Sequence, residues 1–253
     1  MTAVAGAGPT EADVTPVPNE VGIFGIGLIL GQVLSAATTP LFTRALGPTD
    51  FGLLDVAGVL ATLLGTVLLL GMDQAVVRCY FDDDDPQRRR QIVSSGLLLL
   101  VLLGAGTSVV LGLLASRLAG PILGAGHTGL LIVVVIGAPI AAVAAYTAEV
   151  LRVERRALPY AASGVLRAVA GGVIAVLLVL ALGGGAAGVY IGLAAGSLAA
   201  VTYNVWQIRS TLRWSPSSSG LTRMLRFGLP LVPTGAFFWS LMVVDRLVLV
   251  RYV

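Results

Sequence analysis

The sequence predicts an all-α integral membrane protein. Of its 253 residues, 57% are hydrophobic and only 11% are charged, whereas a soluble domain is about one quarter charged. Long stretches without a charged residue recur along the chain, each close to the roughly 20 residues that a helix needs to cross the hydrocarbon core of a bilayer. Within lipid these stretches must be helical, because an irregular backbone would leave its polar groups without hydrogen bonds.

Seven spans are predicted after a polar start. Residues 1–20 are small, polar and proline-rich and contain no basic residue, so they predict a disordered cytoplasmic tail and not a signal peptide. The spans that follow are 21–43, 50–77, 91–115, 128–151, 161–182, 186–208 and 227–250. The chain is therefore divided into a six-helix segment at 21–210, a linker at 211–226, and a seventh helix within 227–253.

The arginines predict the orientation of these spans. All 16 basic residues are arginine. Only Arg44 and Arg117 fall in the first, third and fifth loops, whereas eleven arginines fall in the other three loops: Arg78, Arg88, Arg89, Arg90, Arg152, Arg155, Arg156, Arg209, Arg213, Arg223 and Arg226. By the positive-inside rule, the arginine-rich loops and the N-terminus face the cytoplasm. We therefore expect the positive charges to face the lipids of the cytoplasmic (inner) membrane. They do not indicate a nucleic-acid partner.

Small residues at every fourth position predict close helix packing. Such spacing lets helix backbones approach each other in lipid. The sixth span carries Gly188, Gly192, Gly196 and Ala200, and the fifth carries Gly164, Ala168 and Gly172. We expect these stripes to form helix contacts inside one subunit in preference to a dimerisation face.

Ionisable residues in or near the spans are the candidates for function, because a charge inside the membrane is costly and usually faces a cavity. Glu149 and Arg152 are three residues apart and can pair on one helix face. Arg167 lies about two turns into the fifth span and has no acidic residue within a turn of it. The remaining candidates include Asp73 at the inner end of the second span, and Asp245 and Arg246 near the outer end of the seventh.

No pattern of catalytic, cofactor or metal-binding residues is present in the sequence, so we expect no enzyme activity, no cofactor and no metal. Residues 124–129 fit GxGxxG, but they lie in a loop between spans with no strand before them, so they do not predict a dinucleotide site. His127 is the only histidine and Cys79 the only cysteine. The aspartates at 82–85 predict a solvated loop, because successive aspartates do not converge on one ion without a shaping turn.

Two stretches carry a family resemblance. Residues 43–82 contain Leu46-Gly47-Pro48, Phe51-Gly52, and Gly71-Met72-Asp73-Gln74-Ala75 followed by Arg78. Residues 228–253 open with two prolines in the pattern Leu-Pro-Leu-x-Pro and contain the Asp245-Arg246 pair. Both stretches resemble the bacterial polysaccharide (O-antigen type) flippases, which belong to the multidrug/oligosaccharidyl-lipid/polysaccharide exporter superfamily.

The resemblance implies export of a lipid-linked oligosaccharide for polysaccharide or lipopolysaccharide biosynthesis, with two six-helix lobes rocking about a central cavity. The substrate it implies carries a polyprenyl-pyrophosphate anchor, whose head group would bind Arg78, Arg152 and Arg167. Asp73, Glu149, Asp245 and Arg246 would act in gating or at the lobe interface. Glycan polymerase or glycosyltransferase machinery would be further partners.

Seven helices are fewer than the twelve or more of that family. We therefore expect an N-terminal fragment that ends with the first helix of a missing second lobe, and we expect this helix to pack loosely on the other six. Two alternatives stay open. One is a multidrug or cation antiporter of the same superfamily, which would require a carboxylate deep in a cavity, and the first span contains none. The other is a non-functional truncated fragment.

Overall fold

The computed structural model of the protein describes residues 25, 29, 32, 33, 36, 38, 40–212, 218–233 and 237. All regular structure within these residues is helical, so the predicted all-α fold is confirmed. The first predicted span, 21–43, and the seventh, 227–250, fall mostly outside the described residues. The expectation that the seventh helix packs loosely therefore stays a prediction.

In the part of the chain that the structure describes, five helical stretches are long and apolar enough to cross a membrane. They match predicted spans two to six in order. The first stretch consists of two helices, α1 (Pro48–Leu69) and α2 (Met72–Asp82). The others are α3 (Pro86–Leu123), α4 (Thr128–Val153), α5 (Ala157–Leu182) and α6 (Gly185–Ile208). A short amphipathic helix, α7 (Ser218–Gly228), follows them and extends two residues past the predicted linker.

Several helices are longer than the sequence predicted, and this moves arginines out of loops. The side chain of Asp85 accepts a hydrogen bond from the backbone N–H of Gln87 (2.9 Å), and Pro86 occupies the first turn, so α3 begins at once with a favourable cap. The loop between α2 and α3 shrinks to residues 83–85. Arg78 therefore lies on α2, and Arg117 lies within α3 instead of in the third loop.

The closest helix contact joins α5 and α6. A methyl group added at Gly192 would lie 2.5 Å from the backbone nitrogen of Ala175. One added at Gly196 would overlap the carbonyl oxygen of Arg167. The predicted small-residue stripe of α6 is thus confirmed as a packing surface, where the absence of side chains lets two backbones touch.

The stripe that was predicted on α5 does not make this contact. The α5 residues against α6 are Gly171 and Ala175, which are also small and four residues apart. Gly172 faces the side chain of Thr38, and an added methyl group at Gly164 would meet no atom within 4 Å. Since α5 is rich in small residues on several faces, spacing alone did not determine which face meets α6.

A break between α1 and α2 gives the second span its shape. Leu70 and Gly71 both adopt left-handed backbone conformations (φ 50° and 66°), which cost little only for glycine. The backbone of Gly228, at the end of α7, packs directly on this break, and a methyl group added at Gly71 would lie 2.7 Å from the carbonyl oxygen of Gly228. As a result, Asp73 lies in the first turn of a new helix.

The amphipathic helix α7 is anchored on the bundle by its apolar face. Met224 is fully buried and packs in one hydrophobic cluster with Tyr146. The hydroxyl of Tyr146 donates a hydrogen bond to the carbonyl of Val93 (3.0 Å) above Gly96, where any larger residue would displace the ring. Helices α3, α4 and α7 are joined through this cluster.

The arginine-rich segments come together at one end of the bundle. Arg223 on α7 forms an ion pair with Asp83 (2.9 Å), and the hydroxyl of Thr211 donates a hydrogen bond to Glu154 (2.6 Å). Arg156 donates hydrogen bonds to the backbone carbonyl and the side chain of Gln207. These contacts place the three segments on the same side of the predicted membrane, as the charge distribution requires.

The α5–α6 contact can be tested by adding methyl groups. We expect Gly192→Ala and Gly196→Ala each to lower the free energy of unfolding by about 1–3 kcal/mol, the usual cost of overpacking. The measurement is the midpoint of thermal unfolding in detergent. Gly106→Ala on α3, where an added methyl group meets no atom within 4 Å, is the matched control and should leave the midpoint unchanged or slightly raised.

The docking of α7 can be tested at Gly228. A methyl group there would overlap the carbonyl oxygen of Leu70, so Gly228→Ala should loosen α7 from the break between α1 and α2. Trypsin, which cleaves after arginine, should then cut after Arg223 and Arg226 several-fold faster in the variant. Equal cleavage rates would mean that the Gly71–Gly228 contact does not hold α7.

Candidate functional site

A cavity of about 290 Å³ lies between α2, α4, α5 and α6. We call it the charged cavity. It brings together three of the residues that the sequence singled out, Asp73, Glu149 and Arg167. The rest of its wall consists of small residues and two hydroxyl-bearing side chains: Ala144, Ala145, Ala148, Tyr160, Ala161, Ser163, Gly164 and Ala200. The three charged residues come from three different helices, α2, α4 and α5, so the fold creates this charge cluster.

A second cavity, of about 350 Å³, adjoins the first. We call it the hydroxyl cavity, because Thr62, Thr66, Tyr190 and Ser197 contribute its polar groups between small and aliphatic residues of α1, α4 and α6. Arg167 lines both cavities. Its guanidinium is therefore the charged group that the two spaces share.

Arg167 lies near the middle of α5. It is the eleventh residue of α5, about 15 Å along the helix axis from the first, and so deeper than the two turns that the sequence indicated. Its side chain is exposed in the described part of the chain, and it lines both cavities. Among the described residues it has no hydrogen bond or ion pair. Within a predicted membrane span, such a guanidinium is a candidate for a functional residue.

Glu149 and Arg152 form the ion pair that their spacing allowed. Nη2 of Arg152 lies 2.6 Å from Oε2 of Glu149. The Glu149 side chain is 18% exposed and that of Arg152 is 47% exposed. Arg152 therefore reaches the charged cavity from its rim through Glu149, which lines the wall.

Asp73 reaches the same cavity from α2. It is half-buried and accepts a hydrogen bond from the side chain of Gln74 (3.3 Å). It lies in the first turn of α2. Two carboxylates and two guanidiniums thus lie in or at the edge of one small space.

The other predicted site residues lie elsewhere. Arg78 is exposed, pairs loosely with Asp82 (3.7 Å) and lies 4.6 Å from the ring centre of Phe227. It does not line the charged cavity, and its role as a head-group ligand stays a prediction. Asp245 and Arg246 lie outside the described residues.

Sequence reasoning missed the hydroxyl groups of the site. Tyr160 in the charged cavity, and Thr62 and Tyr190 in the hydroxyl cavity, were not singled out. It also missed Asn204, a fully buried residue whose side chain donates a hydrogen bond to Thr147 (3.1 Å) across α4 and α6. The available signal was a polar residue inside an apolar helix, which the search for ionisable groups passed over.

Neither His127 nor Cys79 was assigned a chemical role from the sequence, and the structure describes both residues. His127 lies just before α4 with its Nδ1 atom buried and not hydrogen-bonded. Cys79 is buried and forms no disulfide. No group of three or more His, Cys, Asp or Glu side chains that could hold a metal ion is found in the described part of the chain.

One protein family and several solved structures are similar to this chain. The model of a family described as "Polysaccharide biosynthesis protein" matches residues 19–253. No curated protein sequence matches the chain. Among solved structures, the chain is similar to a MOP superfamily transporter from Pyrococcus furiosus, with 20% identity and a TM-score of 0.66 over 86% of this chain and 52% of that one.

Structures of MATE transporters have the same fold. A MATE structure in complex with Br-NRF has 19% identity and a TM-score of 0.69, over 90% of this chain and 55% of that one. An outward-facing MATE family transporter has 19% identity and a TM-score of 0.65, over 86% and 52%. The chain thus spans about half the length of the solved structures it matches, and the likeness establishes the fold.

Thiol labelling tests whether Arg167 faces a hydrated space. A cysteine at position 167 should react with a charged, membrane-impermeant thiol reagent, because this position lines the charged cavity and the hydroxyl cavity, which we expect to contain water. The natural Cys79 is buried and should not react. Val169→Cys is the matched control, since Val169 lies at nearly the same depth on the far side of α5 and lines neither cavity. Equal labelling at both positions would contradict the expectation that the two cavities contain water.

Proposed function

Because the chain belongs to the polysaccharide biosynthesis protein family, we propose that it forms part of a transporter that moves a lipid-linked oligosaccharide across the cytoplasmic membrane. In this proposal residues 21–210 are one six-helix lobe, 211–226 are a cytoplasmic linker, and 227–253 begin a second lobe. Residues 1–20 are a cytoplasmic tail. The two lobes expose a central cavity alternately to the cytoplasm and to the outside.

The observation that carries the proposal is Arg167, a guanidinium in the middle of α5 that lines two cavities and has no partner among the described residues. The planar guanidinium binds phosphate through two parallel hydrogen bonds. A polyprenyl-pyrophosphate anchor presents such phosphates next to its first sugar. A charge at this depth costs several kcal/mol unless a ligand or counter-charge offsets it, and the head group supplies that offset.

The charged cavity supports a loading step from the cytoplasmic side. Arg152 lies at its rim and is exposed, so it can meet the head group first, and Arg167 lies deeper. Asp73 and Glu149 act as gating residues by holding positive charge in place when no head group is bound. Small residues line both cavities and leave room for a ligand. The lipid tail remains in the bilayer, and the glycan polymerase and glycosyltransferase machinery would supply or receive the cargo.

A second candidate function has a specific observation in its favour. Asp73 and Glu149 line the same cavity, so carboxylates that could bind a proton or a cation are present even though the first span has none. This arrangement favours a multidrug or cation antiporter more than the sequence did. We rank it second because Arg167, the deepest of these charges, repels cations.

Glycan export by a strain that depends on this gene tests the first proposal. Arg167→Ala should reduce export by about tenfold or more, since one charge-assisted hydrogen bond contributes about 1.5–3 kcal/mol. Arg167→Lys keeps the charge but loses the planar fork, so it should recover only part of the activity. The control is Arg209→Gln, which removes an arginine that lies over the ring of Trp206, away from both cavities.

Wild-type export by Arg167→Ala, at equal protein abundance, would refute the assignment of the head group to Arg167. Efflux of cationic dyes in exchange for protons by the purified protein, without binding of lipid-linked sugars, would instead establish the antiporter.

A further inference from the structure

The charged cavity is lined by one guanidinium and two carboxylates, and Arg152, which pairs with one of these carboxylates, makes the numbers of positive and negative groups equal. Arg167 and Arg152 supply two guanidiniums, and Asp73 and Glu149 supply two carboxylates. Tyr160 adds a hydroxyl, and α6 contributes Ala200, which is uncharged. These are the titratable and charged groups that face Glu149 from the described helices around it. Without a ligand the charges balance, and any bound anion must disturb this balance.

The side chains of Glu149 and Arg152 differ in length and in exposure to solvent. Arg152 has a long side chain that is 47% exposed, whereas the carboxylate of Glu149 is only 18% exposed. A guanidinium at the rim can turn toward a phosphate, but the shorter and more buried glutamate cannot follow it. Once Arg152 engages a phosphate, Glu149 keeps its position in the cavity wall with less positive charge beside it.

Two features make Glu149, and not Asp73, the carboxyl that responds. Among the described residues Asp73 forms no ion pair with either arginine, and its side chain accepts a hydrogen bond from Gln74. Glu149 lies near the C-terminal end of α4, where the dipole is negative and disfavours ionisation. Asp73 lines the same cavity, and a like charge nearby disfavours the charged form of Glu149 once its cation has turned away.

We infer that binding of a diphosphate head group at Arg152 and Arg167 is coupled to the uptake of one proton from solvent by the carboxylate of Glu149. This inference rests on the proposed function, because it takes the diphosphate as the ligand of the two arginines. It adds that the head group replaces the carboxylate of Glu149 as the partner of Arg152. The proton then neutralises this carboxylate.

The sign of the pH dependence follows from this exchange. The ligand-bound protein holds more protons than the free protein, so affinity rises as pH falls, by up to about tenfold per pH unit for one linked proton. The rise levels off once Glu149 is protonated in the free protein as well. A glutamine at this position is neutral at every pH, so it binds without this proton.

Titration calorimetry of the full chain in detergent tests the inference. Inorganic pyrophosphate and geranyl diphosphate are titrated at one pH into buffers of different ionisation enthalpy, and the dependence of the heat on the buffer counts protons. Wild type should take up close to one proton more than Glu149→Gln, while the variant binds at least as tightly. The titration of the ligand itself contributes equally to both proteins, so their difference belongs to Glu149.

Glu154→Gln is the matched control, because Glu154 also lies at this end of α4 but pairs with Arg156 and Thr211 away from the cavity. It should keep the proton uptake of wild type. Binding to wild type with the same proton count as Glu149→Gln overturns the coupling and leaves the proposed function standing. No binding of either diphosphate to wild type overturns both. Geranyl diphosphate binding much more tightly than pyrophosphate indicates a lipid head group as the ligand, and equal affinity indicates a free diphosphate, with the coupling supported in either case.

Discussion

The close contact between α5 and α6 determines where the charged site lies. At Gly196 the two backbones approach so nearly that a methyl group would overlap the carbonyl oxygen of Arg167, and Gly192 meets Ala175 in the same way. Helices in lipid gain little from the hydrophobic effect, so packing of small residues is a main source of their association. This contact sets the position and rotation of α5 along α6. It therefore places Arg167 in the wall that the charged cavity and the hydroxyl cavity share.

A second glycine contact does the same for the acidic wall of the cavity. The left-handed turn at Leu70 and Gly71 ends α1, and the backbone of Gly228 packs on it. The new helix that starts there places Asp73 in its first turn. Because α7 holds this turn and leads toward the following segment of the chain, any displacement of α7 reaches the cavity through very few residues. The two glycine contacts thus position two charges of opposite sign, Arg167 and Asp73, that line one cavity.

Apolar runs and arginine counts were sufficient to predict spans two to six and the end of the bundle that gathers the basic residues. They could not predict the break at Gly71, since it lies inside one continuous apolar stretch, nor the helical positions of Arg78 and Arg117. The charged cavity was also beyond reach. Asp73, Glu149 and Arg167 come from three helices, and helices that are apolar on every side carry no periodicity that reveals which face meets which neighbour.

The charge balance of the cavity bears on the choice between an anion and a cation as its ligand. Two carboxylates and two guanidiniums make the site neutral when all four are ionised, so fold and composition alone favour neither sign. Neutralising Glu149 leaves two guanidiniums against Asp73, and the cavity then attracts an anion. Because Arg152 is the exposed partner of that carboxylate, an arriving phosphate both competes for the arginine and promotes the protonation that makes the site positive. The same exchange run backward returns Arg152 to Glu149 and favours release of the anion, so one carboxyl–guanidinium pair is sufficient to make binding reversible.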